Sequence, residues 1–191
     1  MRRPRTRFTL ALMLALVLPA TWTHGQNPPP DNPELQQMYE DDQGDRSKPY
    51  DEIDWAVVSE RDRQHRERVK ELLEAGAVKT ANDYYHAAMV FQHGSQPEEA
   101  RQAHELARQA VALDPEHENA RWLSAAAWDR YKMYLGEPQW YGTQFTRDKK
   151  GAWILYRVVE DAVTDAERVA AGVPTLEESR QRAVAMNTPR E

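Results

Sequence analysis

The sequence predicts a mainly α-helical domain, a helical bundle with one small β-hairpin in its C-terminal half. Three observations carry this. Apolar residues recur at three- and four-residue steps from Trp55 to Leu113, the spacing that places them on one helix face. Ser95/Glu98, Thr164/Glu167 and Thr175/Glu178 have the hydroxyl-then-Glu spacing of a capping box, a signature of helix starts. Strand-type residues cluster only around Gln144–Thr146 and Trp153–Val158, on either side of the turn signal Arg147-Asp148-Lys149-Lys150-Gly151.

Taken in order, residues 1–25 read as a signal peptide. Arg2, Arg3, Arg5 and Arg7 precede an apolar run from Phe8 to Leu18 that Pro19 ends. That run falls short of the roughly 20 apolar residues a membrane span needs and suits an export signal. Residues 26–50 read as a Pro-rich disordered linker. Asn27-Pro28-Pro29-Pro30-Asp31-Asn32-Pro33 disfavours helix, and Asp41–Lys48 offers little to bury. Residues 51–191 read as a single mostly helical domain. Its first helix carries Trp55, Val58, Asp62, His65, Val69 and Leu72 on one face and stops at Gly76. A second helix from about Thr80 to His93 is apolar nearly all round and therefore central. A third places Ala100, Ala103, Leu106, Ala107, Ala110 and Val111 on its buried stripe and ends at Asp114-Pro115. A fourth runs from about Glu118 to Leu135, with Trp122, Ala125, Ala126, Asp129 and Met133 on one face, and Gly136 and Pro138 terminate it. The hairpin occupies about residues 143–158, and two short helices follow it.

Composition removes whole classes of function. The chain holds 25 basic and 31 acidic residues, a net charge of −6, and the signal takes four of the positive charges with it. Sequence-independent nucleic-acid binding needs the opposite balance. With no cysteine in the chain, disulfides, thiol catalysis and cysteine-bound zinc are excluded. There is no Gly-x-Ser-x-Gly elbow, phosphate-binding Gly loop, His-Glu-x-x-His or dinucleotide fingerprint. No cofactor and no metal ligand set is assigned.

Two resemblances add to this reading. Tyr84 to Pro115, with Ala103, Ala107, Ala110 and the ending Leu113-Asp114-Pro115, resembles a single tetratricopeptide-type helical hairpin and implies two antiparallel helices. Gln92-His93-Gly94, Asp129-Arg130 and Gly136-Glu137-Pro138-Gln139-Trp140-Tyr141-Gly142-Thr143-Gln144 together resemble an uncharacterised bacterial domain family. Its pattern is a Gln-His pair, an Asp-Arg pair, then Gly-x-Pro-Gln-x-Tyr-Gly-Thr-Gln. The tail from Val163 to Pro174 is similar to that family as well. The resemblance brings no activity with it.

The candidate site residues come from those stretches. Asp129 shares a stripe with alanines and must find a partner, because a buried unpaired carboxylate costs several kcal/mol. His93, His65, Arg61 and Arg68 are the candidates. His93 at a helix end has the chemistry of a general base oriented by Asp129, with Arg130 beside it to stabilise an anion. Gln92, Gln139, Tyr141, Thr143 and Gln144 would line a polar pocket, or else satisfy their own loop. Three functions stay open: an exported binding or scaffold domain, an envelope hydrolase using a His-Asp pair, and a structural protein whose polar cluster only ties helices together. The expected location is periplasmic or secreted. The expected partner is an envelope peptide, a cell-wall fragment or a small polar ligand, without stable membrane insertion once the signal is removed.

Overall fold

The computed structural model describes residues 28–188. The signal-peptide reading of residues 1–25 lies outside them. Seven α-helices and one two-stranded antiparallel sheet make up the described chain: α1 Pro33–Asp45, α2 Trp55–Glu74, α3 Ala81–Gln92, α4 Pro97–Leu113, α5 Glu118–Tyr134, β1 Phe145–Arg147, β2 Trp153–Leu155, α6 Asp165–Ala170 and α7 Leu176–Ala185. Among the described residues, no helix is long and apolar enough to cross a membrane.

One segment departs from the sequence reading. Residues 33–45, read as part of a disordered linker, form helix α1. Pro33 sits at the first helical turn, where its missing N–H costs nothing, and the Asn32 side chain accepts from the amides of Glu34 and Leu35. Only Leu35, Met38 and Asp42 are buried, at steps of three and four. A helix this polar has no stability of its own and depends on docking. Its start is stapled to α3: Asp83 accepts from the Asn32 amide at 2.6 Å, and Asp31 accepts from the Thr80 hydroxyl at 2.6 Å.

Helix α3 is central, as its all-round apolarity predicts. Ala87 to Phe91 are all buried, and α1, α2, α4 and α5 all pack on it. Helix α4 lies between α3 and α5, and buried Ala103, Ala107 and Ala110 on α4 share a core with Ala120 and Ala127 of α5. Small side chains at such contacts let helix axes approach closely.

The start of α4 differs by one residue from the sequence reading. Glu99, not Glu98, folds back on the cap, accepting from the amides of Ser95 at 2.7 Å and Gln96 at 3.0 Å. Glu98 is exposed, whereas Glu99 also pairs with Arg66 of α2 at 2.8 Å. Gly94 makes room for this: a Cβ there would lie 2.4 Å from Glu99 Cβ.

The hairpin pairs Phe145 with Leu155, Thr146 with Ile154 and Arg147 with Trp153. It docks on the last helix through Asn187, whose side chain accepts from the Trp153 amide at 2.7 Å and donates to its carbonyl at 2.8 Å. Thr164/Glu167 and Thr175/Glu178 form the capping boxes that the sequence predicts.

Candidate functional site

The polar residues of the sequence pattern divide into two structures. The first is a clamp around the chain between α5 and β1. Asp129 is fully buried on α5. Its Oδ1 accepts from the Trp140 amide at 2.8 Å and the Tyr141 amide at 2.9 Å; its Oδ2 accepts from the Thr143 amide at 3.0 Å and the Thr143 hydroxyl at 2.8 Å. All its partners belong to the loop and none to the side chains expected from the sequence. Arg61 pairs instead with Asp45 at 2.7 Å, and Arg68 with Glu34 at 2.6 Å. Burial pushes the Asp129 carboxyl above its ordinary range, and the four hydrogen bonds oppose that push.

Arg168 of α6 closes the clamp from the other side. It is 2% exposed, and it donates to the Tyr141 carbonyl at 3.1 Å, the Trp140 carbonyl at 3.0 Å and Asp165 Oδ1 at 3.1 Å. A carboxylate thus takes the amides of Trp140, Tyr141 and Thr143 while a guanidinium takes the carbonyls of Trp140 and Tyr141. Gly142 has a φ of 86°, which L side chains resist, and a Cβ there would press on Leu176 at 3.3 Å. The sequence reading had not singled out Arg168. Its place just after the Thr164/Glu167 capping box offered no hint that its side chain turns inward.

Gln139 and Gln144 lock the exit into the hairpin. The fully buried Gln139 side chain donates to the carbonyls of Gln144 at 3.0 Å and Tyr156 at 2.8 Å and accepts from the Gln144 amide at 2.8 Å. Its backbone bridges to Val158. The amide side chain therefore replaces backbone partners that the short sheet lacks. Gln144 donates to the Ala126 carbonyl at 3.2 Å and to the Thr143 hydroxyl at 3.0 Å. Outside the clamp, Trp140 packs edge-on against Trp128 at 5.0 Å, with the Lys132 ammonium over both rings. Gln139, Thr143 and Gln144 thus spend their polar atoms inside the fold. Tyr141 contributes its backbone to the clamp, and its half-buried phenol is pushed up by burial and, less strongly, by Asp129.

The second structure is a polar centre at the C-terminal end of α3. His93 Nδ1 lies 2.8 Å from Asp42 Oδ1, so the histidine has a carboxylate partner, but it comes from α1 rather than being Asp129. The same Asp42 oxygen accepts from Arg46 at 2.9 Å, and Arg46 reaches Asp62 of α2 at 2.6 Å. Arg130 points away from the clamp, as the residue after Asp129 must on a helix. It donates to the Gln92 carbonyl at 2.7 Å and, at a longer 3.3 Å, to Gln144 Oε1. The Tyr134 hydroxyl donates to the Gly94 carbonyl at 2.9 Å.

Two groups here stand out. Gln92 is 4% exposed, yet its side-chain oxygen is buried with no hydrogen-bond partner; Asp62 Oδ1 is in the same condition. Most buried polar atoms are satisfied, and one that is not calls for an explanation. The centre opens at its rim, where the Arg46 and His93 side chains are 18% and 21% exposed. The sequence reading missed Asp42 and Arg46 because both lie in the stretch taken for linker. The one signal was the Leu35/Met38/Asp42 spacing.

His86, two turns before His93, stacks on Tyr39 of α1 at 4.6 Å. His104 is held at 2.8 Å from the Ser124 carbonyl. Burial is the main cause that depresses both imidazoles below their ordinary 6.5. They therefore stay neutral in the fold, while the unfolded chain takes up protons first as pH falls. Their contribution to stability is complete above 6.5 and is lost as pH drops from there through the lower folded values. The urea unfolding midpoint should thus be lower at about pH 5 than at about pH 7.5, and a midpoint that holds or rises would contradict the buried neutral imidazoles.

Fold and site together define a mainly helical domain with one clamped loop and one partly open polar centre. Comparison with protein-family models, with curated proteins and with solved structures returned no match.

Proposed function

We propose that this chain is an exported helical binding module whose recognition site is the polar centre at the end of α3, formed by Gln92, His93 and Arg130 with Asp42 and Arg46 behind them. Export rests on the N-terminal sequence pattern. The observation that carries the binding reading is the unpartnered side chain of Gln92 beside the carbonyl that holds Arg130. A buried polar atom left unmade costs about 1–3 kcal/mol, and residues kept at such a cost are commonly kept for function. Gln139, Thr143 and Gln144 support the site from behind: Gln144 accepts from Arg130 and so fixes the guanidinium relative to the clamp.

Gln92→Leu tests this directly. It removes the unpartnered amide while keeping the volume, so stability should hold or rise by about 1 kcal/mol in urea unfolding. Binding to envelope extract components should be lost in the same variant. A fall in stability of about 2 kcal/mol or more would mean that the amide is satisfied within the fold, and the reading would fail.

A second reading is favoured by the His93–Asp42 distance of 2.8 Å. A carboxylate on Nδ1 fixes the tautomer that leaves Nε2 free to take a proton. The hydrolase alternative would then use His93 as base on water, Asp42 to orient it, and Arg130 to stabilise the developing anion. Hydrolysis of envelope peptides or esters that disappears in His93→Gln, with the fold intact, is its test.

A further inference from the structure

Arg130 is the uncompensated charge of the polar centre. Among the described residues it pairs with no carboxylate: its contacts are the Gln92 carbonyl and the Gln144 amide oxygen, both neutral. The acids of the centre face Arg46 and His93 instead. Asp42 is shared by Arg46 and His93, and Asp62 accepts from Arg46. Burial, and to a smaller extent the neighbouring Arg46 charge, makes the Arg130 cation less favourable than an ordinary guanidinium. Arg130 is only half-buried, and none of its nitrogens is buried without a partner, so its free end is reachable from solvent. Nε and one terminal nitrogen are used, which leaves the other terminal nitrogen of the fork without a partner.

We propose that Arg130, which holds the main-chain carbonyl of Gln92, binds a carboxylate group of the ligand. This rests on the reading of the polar centre as a recognition site and names the chemistry it recognises. The guanidinium fork matches a planar oxyanion. The Gln92 amide, whose two ends are interchangeable, supplies a further hydrogen bond to the carboxylate or to a group beside it. The carboxylate can belong to a small acid or to the C-terminus of a peptide.

Titration of the protein with acetate, N-acetyl-dialanine, acetamide and inorganic phosphate, followed by NMR at the Arg130 Nε–H and the Gln92 side-chain amide, decides the matter. Saturable shifts with acetate, at least about tenfold weaker with the uncharged acetamide, are expected. N-acetyl-dialanine binding tighter than acetate identifies a peptide terminus as the source; equal affinity identifies a small acid. Comparable binding of acetamide overturns the carboxylate class but leaves the recognition site standing. Tighter binding of phosphate overturns the carboxylate class in favour of a phosphate group. No shift with any of the four sinks both the inference and the binding reading. Arg130→Gln should abolish the acetate response and spare that to acetamide. Because the wild-type signals carry the test, a variant that fails to fold does not decide it.

Discussion

Asp129→Asn should destabilise the protein by about 3 kcal/mol, although it changes only one oxygen to an NH2 group. The wild-type carboxylate faces four donors and no acceptor apart from the Thr143 hydroxyl, which can turn. An asparagine can keep its oxygen toward the amides of Trp140 and Tyr141, but its NH2 then meets the Thr143 N–H. Flipping the amide is worse, because two N–H groups then face the NH2. Either way a buried donor loses its acceptor, at about 1–3 kcal/mol, and a donor–donor contact is added. Relief from burying a charge offsets part of this, since the carboxyl is already pushed up by burial. For a chain of this size about 3 kcal/mol corresponds to a Tm lower by roughly 6–12 °C. Thermal unfolding followed by circular dichroism checks it. An unchanged Tm would mean that the clamp is not part of what holds the domain together, and Asp129 would return to the list of groups kept for function.

That result would separate two kinds of polar residue which look alike in the sequence. The pattern Asp129-Arg130 followed by Gln139-Trp140-Tyr141-Gly142-Thr143-Gln144 marks a place where polar groups gather, and the structure does gather them. Helical periodicity placed Asp129 on the buried stripe, and it is fully buried. What periodicity could not supply was the identity of its partners. They are backbone amides eleven to fourteen residues downstream, and an amide carries no side-chain signature. The same limit hid Arg168, whose targets are carbonyls. Helices α2 to α5 were legible because each carries enough apolar residues to reveal its period. Helix α1 was not, because only Leu35 and Met38 are buried apolar side chains, with Tyr39 packed half-buried beside them, and the third buried position is the acid Asp42. Its concealment also misassigned the histidine pair: His93 was expected to meet Asp129, and with α1 taken for linker the true partner was never a candidate.

Arg168→Met carries the second large effect, because it attacks the same loop from the opposite side. Methionine replaces much of the aliphatic stem, so the loss comes mainly from hydrogen bonds. The Trp140 and Tyr141 carbonyls lose their donor, and Asp165 loses its arginine while still accepting from the Leu176 amide at 3.0 Å. Hydrogen bonds to charged groups contribute about 1.5–3 kcal/mol each, and two buried carbonyls are left bare, so a loss of about 3–4 kcal/mol is expected. The informative experiment is the double variant Asp129→Asn/Arg168→Met. Both side chains hold residues 140–143, and once one lets go, the loop relaxes and the other holds less. The combined loss should therefore fall short of the sum of the single losses by about 1–2 kcal/mol in urea unfolding. Strict additivity would mean that acid and arginine stabilise separate parts of the fold, and the description of one loop gripped from both faces would be wrong. The coupling also bears on the polar centre. Gln144, which bonds to Arg130, directly follows the gripped stretch. Loosening the grip should weaken acetate binding at Arg130 in Arg168→Met under conditions where the variant is still folded, although Arg168 has no described bond to that centre.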